Sequence, residues 1–328
     1  MIFIYVLSSN ETYYYPEQTA VSIHSLRKYH PNALVYLLSD RETFDFLNKS
    51  DSILKELCNE IIVVDMPSGL NQFQKSRYLK TSIRRNIKGD FLFIDSDTII
   101  TGSLVDIENY PCSIGMVKQQ DSDDWSINNP HIHLRKYNIA HNLPENFNHG
   151  IEHFYNAGLI LCRDNELTQK FYDRWHELWY RSTSLFNFHM DQSDLWITNK
   201  EFGNIVSELP GQYNCMAICY PISLRYLSDC KVFHYFSSSQ HCKYLKIRNP
   251  EFLKSIRLNG IDKETEELIK NIRIDYLAGL YITPKEEIEH EEILVRIAKM
   301  ITKRLPFFNK IINNSYNLYG NLISRKNK

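Results

Sequence analysis

The segment FLFIDSDTII, residues 91 to 100, places Asp95 and Asp97 two positions apart where an apolar run ends. Alternate side chains of an extended segment share a face, so these two carboxylates can hold one hard divalent cation between them. A cation held there suits a bound pyrophosphate. Short D-x-D strings also serve as turns and helix N-caps, so the context has to carry the reading. Phe91, Leu92, Phe93 and Ile94 form the continuous apolar run of a strand buried on both faces of a parallel sheet. Ligands of open α/β sheets bind beyond the carboxyl ends of such strands, where Asp95 falls.

Further groups extend this chemistry. Tyr155-Asn156-Ala157-Gly158 joins a glycine, which permits close backbone approach, to an amide suited to sugar hydroxyls. Asp191-Gln192 pairs a carboxylate with an amide, and Val232-Phe233-His234-Tyr235 is a short apolar run delivering an imidazole as a third metal ligand. Arg77 and Lys80, three apart, offer two cations on one helical face. His131-x-His133 lacks a third ligand, and surface or hydrogen-bonding roles are the simpler reading.

Strands and helices must bring these groups together. Apolar runs at 2 to 8, 33 to 40, 60 to 66 and 155 to 162 read as strands, and 16 to 29, 43 to 58, 72 to 87 and 166 to 181 as helices. Phe171, Trp175 and Trp179 in the last of these read as core. This β-α succession implies an α/β fold with a mainly parallel sheet flanked by helices and right-handed crossovers. Residues 119 to 153 break the pattern, with Asp121, Asp123 and Asp124, five histidines and no periodicity, as in either a functional lid or a partly disordered segment.

Composition narrows the function classes. A net charge of −1 and a pI near 6.9 argue against a nucleic-acid partner. Seven cysteines without a C-x-x-C pair indicate neither a disulfide framework nor a zinc ribbon, and Cys215 and Cys219, four apart as on a helix, read as buried and structural. The start, MIFIYVLSS, has no basic n-region, and no stretch is long and apolar enough to span a bilayer, so a cytoplasmic protein is expected. Residues 251 to 292 read as helical. Residues 293 to 328 carry eight basic and no acidic residues, which suits either attraction to an anionic membrane surface or a terminal helix with solvated charges.

The ordered motifs SRYLK (76 to 80), FIDSDT (93 to 98), YNAGLIL (155 to 161), DQ (191 to 192) and VFHY (232 to 235) resemble the retaining glycosyltransferases of the glycogenin and lipopolysaccharide-galactosyltransferase family. The resemblance spans about residues 1 to 240. It implies a GT-A-like nucleotide-diphospho-sugar transferase domain over 1 to 250, followed by a helical, basic extension over 251 to 328. It implies hexose transfer from a nucleotide-diphosphate sugar, a UDP-sugar above all, with Mn²⁺ or Mg²⁺, to a glycan or lipid-linked acceptor in bacterial surface polysaccharide or lipopolysaccharide synthesis; the basic tail suggests peripheral attachment of a cytoplasmic enzyme to the inner face of the cytoplasmic membrane. Asp95, Asp97 and His234 would hold the metal. Arg77, Lys80, Ser96, Asn156, Ala157 and Gly158 would bind the donor, and Asp191 and Gln192 would lie beneath its anomeric centre.

Two departures stand out. The lysine and tryptophan that grip the diphosphate after the metal-binding histidine are replaced by YFSSSQHCKYLK, leaving Lys243 as a substitute at a different spacing. The family's DQD is interrupted as Asp191-Gln192-Ser193-Asp194. Rival readings are a haloacid-dehalogenase-like phosphatase, which reads D-x-D-G-T near its N-terminus, and a sugar-nucleotide-binding protein without turnover.

Overall fold

A computed structural model describes residues 1–119, 132–142, 153–217, 222–237 and 242–279. Its first half alternates strands and helices: β1 (Ile2–Leu7), α1 (Tyr15–Tyr29), β2 (Leu34–Ser39), α2 (Arg41–Lys49), α3 (Leu54–Leu57), β3 (Glu60–Val63), α4 (Gln72–Thr81), α5 (Ile83–Asn86) and β4 (Phe91–Ile94). Local signals set the helix starts. Pro16 occupies the first turn of α1, Asp40 caps α2 by accepting from the Thr43 N–H, and Asn71 and Gln74 form a capping box on α4. The single helices expected over 43 to 58 and 72 to 87 are each two. Asp51 interrupts the first in the left-handed region at φ 49°, and the chain leaves helical geometry at Ser82 in the second.

Beyond β4 follow β5 (Thr98–Ile100), β6 (Ile114–Lys118), α6 (Ile132–Ala140), β7 (Tyr155–Cys162), α7 (Glu166–Phe186), α8 (Asp191–Glu201), β8 (Val206–Leu209), β9 (Cys215–Met216), β10 (Val232–His234), α9 (Pro250–Asn259) and α10 (Lys263–Gly279). A seven-stranded sheet has the order β3-β2-β1-β4-β7-β6-β8, and a three-stranded sheet the order β5-β10-β9. In the large sheet β3, β2, β1 and β4 run parallel, β7 is antiparallel to both neighbours, and β6 is parallel to β8. In the small one β10 runs antiparallel to β5. Asp95-Ser96-Asp97 is therefore the link by which the chain leaves one sheet for the other.

Alternation along the strands fills both faces of the large sheet. Tyr5, Leu92 and Leu159 pack on α1 through Ile23 and Leu26, while Ile4, Phe93 and Ile160 pack on Leu79 of α4 and Trp175 of α7. Trp175 and Trp179 are fully buried, and their indole N–H groups donate to the carbonyls of Asp191 (3.0 Å) and His189 (3.1 Å). The core aromatics thus also fix the chain entering α8.

Part of the stretch without periodicity is helical. α6 packs through buried Tyr137, edge-on to Phe188 at 5.3 Å and stacked on His141 at 3.9 Å, contacts that leave no regular pattern in the sequence. Asp121, Asp123, Asp124, His131 and His149 lie outside the described residues, as does the side chain of His133. Cys215 sits on strand β9 and not on a helix, because it pairs with β10; Cys219 lies outside the described residues.

α9 and α10 fasten onto α1. The Arg257 guanidinium forks onto buried Glu17 at 2.8 and 3.0 Å, and Glu266 pairs with His24 and Lys28. One compact unit runs Met1–Leu277, and a second comprises Ala278–Lys328. The basic segment 293 to 328 lies outside the described residues. Among those described, no helix is long and apolar enough to cross a membrane.

Candidate active site

Ligand atoms of Asp95, Asp97 and His234 lie within 4.8 Å of one another at the carboxyl end of β4. Each arrives by a different route. Asp95 follows β4, its N–H donating to the Gly158 carbonyl at 2.8 Å; Asp97 precedes β5; His234 ends β10, opposite Thr98 in the ladder. Asp97 accepts from the Ser237 N–H at 2.8 Å, and its carbonyl receives the Tyr235 N–H at 3.1 Å. Burial pushes the Asp97 carboxyl up, but the His234 ring and the Ser237 N–H outweigh it and hold the group below the ordinary carboxylate range. Between these contacts Phe236 takes φ 47°, rare for a bulky residue, and its ring lies flat on the His234 imidazole at 3.7 Å and 9°.

A row of amides settles which His234 nitrogen faces the carboxylates. The Gly158 N–H can only donate, so the Asn156 atom it meets at 2.8 Å is the oxygen Oδ1. That oxygen also receives Asn214 Nδ2 at 2.9 Å, which turns Asn214 Oδ1 toward His234 Nδ1, again at 2.9 Å. An acceptor at Nδ1 places a proton there, so Nε2, 3.2 Å from Asp97 Oδ1, is the nitrogen available to a metal ion. A proton or a metal cation between Nε2 and that carboxylate oxygen makes the pair attractive. Two carboxylates and an imidazole so presented fit a divalent metal ion. Gly158 belongs to the same construction: a Cβ there would stand 2.5 Å from His234 Cε1 and 2.8 Å from Asn156 Oδ1. Its missing side chain makes room for the ring.

The acids opposite are tied to the two cations of α4. Lys80, 3% exposed, reaches Asp95 Oδ1 at 2.8 Å and the Ala157 carbonyl at 3.2 Å, with Asp191 Oδ2 at 3.8 Å. Arg77 stands 3.2 Å from Asp191 Oδ1 without an aligned hydrogen bond, its guanidinium over the Phe73 ring at 4.3 Å. Asp191 opens α8, where its charge also meets the positive end of the helix. Gln192 Nε2 donates to the Tyr155 carbonyl at 3.1 Å.

These groups line one cavity of about 440 Å³. Asp95, Ser96, Asp97, Arg77, Lys80, Asn156, Ala157, Gly158, Asp191, Gln192 and His234 all border it; Lys243 is exposed and does not. The Ser96 hydroxyl is turned back to the Val6 carbonyl at 3.2 Å. Tyr13 and Tyr15, stacked at 5.6 Å, and Phe73, Phe236 and Gln119 also line it. The three tyrosines of TYYYP, directly after the first strand, could have flagged the aromatic wall. A lone glutamine such as Gln119 carries no signal.

No protein-family model matches the chain, and no curated protein sequence does. Solved structures match it in shape. Galactosyltransferase LgtC, in complex with donor and acceptor sugar analogues, aligns with 82% of this chain and 100% of its own at 14% identity and a TM-score of 0.51. An active-site variant of LgtC aligns over the same shares at 14% identity and a TM-score of 0.50. The chain has the GT-A fold.

One acid near this GT-A cleft faces away from it. Asp194, fully buried between α6, α7 and α8, accepts from the Ser182 hydroxyl at 2.7 Å, and Ser182 lies 3.2 Å from His141 Nε2. Burial pushes its carboxyl up to about 8, against the hydrogen bonds from Ser182 and Tyr137. Between about pH 4 and that value the folded chain holds a proton the unfolded chain has lost, so stability falls as pH rises through this window. Asp194→Asn is expected to remove that contribution, about 1.4 kcal/mol per pH unit at most. Urea denaturation across the window would show it as a flatter profile; equal slopes in both proteins would sink the assignment.

Proposed function

We propose that this chain is a metal-dependent glycosyltransferase, moving a hexose from a UDP-sugar to a glycan or lipid-linked acceptor with retention of configuration. The carrying observation is the convergence of Asp95, Asp97 and His234 on one point, with His234 Nε2 turned to it, across a single cavity from Gln192. Asp95, Asp97 and His234 would hold Mn²⁺ or Mg²⁺. The cation, when bound, supplies Lewis-acid neutralisation of the leaving diphosphate.

The chain's own residues do the rest. The stacked Tyr13 and Tyr15 offer a flat face to a nucleobase. Gln192 Oε1, with no partner among the described residues, presents a partial negative charge where the sugar carbon becomes positive. Lys80 and Arg77 set positive charge beside Asp95 and Asp191. Attraction of residues 293 to 328 to an anionic membrane rests on their charge alone.

Incubating the chain with a panel of UDP-hexoses and Mn²⁺ should release UDP from at least one. Excess EDTA should stop the release and added Mn²⁺ restore it. Release that persists undiminished under chelation, or no release and no Mn²⁺-dependent UDP binding with any donor, would refute the reading. The anomer formed, read by NMR, tests retention.

A further inference from the structure

The two ends of the Gln192 amide are told apart by the main chain. A carbonyl only accepts, so the Gln192 atom 3.1 Å from the Tyr155 carbonyl is Nε2, and Oε1 lies on the opposite side of the amide. The same Nε2 donates to Gln119 Oε1 at 3.2 Å. Gln119 is fixed from the other direction. Because Gly158 claims Asn156 Oδ1, Asn156 Nδ2 is the atom that reaches Gln119 at 3.0 Å, and the facing atom of Gln119 must be its oxygen. One carbonyl oxygen therefore receives the amide of Asn156, which sets the His234 tautomer through Asn214, and the amide of Gln192.

Gln119 stands at the end of β6, 5% exposed, lining the cavity, its main-chain N–H donating to the Phe154 carbonyl at 3.0 Å. We propose that Gln119 is a positioning residue: its amide oxygen holds Gln192 with the carbonyl oxygen turned to the bound sugar. The proposal rests on the glycosyl-transfer reading. Without that oxygen Gln192 keeps one main-chain acceptor, and rotation of its amide would set N–H groups against a carbon gaining positive charge. Preorganised dipoles act only while they point the right way.

Two variants separate orientation from bulk. Gln119→Met keeps the length and removes the acceptor; Gln119→Glu keeps an acceptor oxygen at the same reach. With Mn²⁺ and the UDP-hexose that the unaltered chain hydrolyses, Q119M is expected to lose about 100-fold in kcat. Its calorimetric affinity for UDP with Mn²⁺ should stay within about threefold, which reports an intact cleft, and Q119E should retain kcat within about tenfold. A Q119M rate above half that of the unaltered chain, or a Q119E as slow as Q119M, overturns the proposal alone. An unaltered chain that hydrolyses no donor overturns the glycosyl-transfer reading, and this proposal with it.

Discussion

Asp97→Asn is expected to lower Mn²⁺-dependent turnover by about 10³-fold, the effect of losing about 4 kcal/mol of transition-state stabilisation. Asparagine matches the aspartate in shape, and its oxygen can still accept from the Ser237 N–H, so the turn after β10 has no reason to move. What disappears is the negative charge facing His234 Nε2 and one of the three ligand groups gathered there. A Mn²⁺ titration, followed both by UDP release and by the rise in melting temperature, measures this directly. Turnover in the variant within about tenfold of the unaltered chain would show that Asp97 is not a metal ligand.

Lys80→Met is expected to destabilise the metal-free protein by about 3–5 kcal/mol. The ammonium is almost wholly buried between Asp95 and Asp191 and also donates to the Ala157 carbonyl. Asp191 keeps Arg77 when Lys80 is removed; Asp95 keeps no cation among the described residues. The deficit should therefore respond to any positive charge delivered to Asp95. In urea denaturation the gap between variant and unaltered chain should narrow when Mn²⁺ is present. A gap that is small from the start, or that Mn²⁺ leaves unchanged, would show that the Lys80 charge does not balance the acids.

The parallel half of the sheet was legible because β1 to β4 are short apolar runs separated by helices with ordinary start signals. His234 and the Asp95–Asp97 pair were legible for the same reason: each ends such a run. The antiparallel entry of β7 was not, since an apolar strand reads the same in either direction and only its register with β4 and β6 fixes its sense. α6 was hidden because its buried face is built from Tyr137 and neighbours in other segments. Asn156 was singled out as an amide for a sugar; its oxygen also holds Asn214 and the Gly158 N–H, partners that the residue type alone does not announce. Asn214 and Gln119 are single polar residues whose value lies in atoms from distant segments. Lys243 was chosen on charge, but it is exposed and does not line the cavity.

The Asp95-Ser96-Asp97 link has a consequence for how the two sheets cohere. Asp95 closes a strand of the large sheet and His234 closes one of the small sheet, so an ion shared by both is a cross-link between them. Asp97 and His234 are 137 residues apart, and closing so long a loop restricts the unfolded chain far more than the folded one. Ion affinity and the seating of the small sheet are then one linked equilibrium. A substitution that loosens β9 or β10, however far from any carboxylate, would be felt first as a weaker hold on the cation.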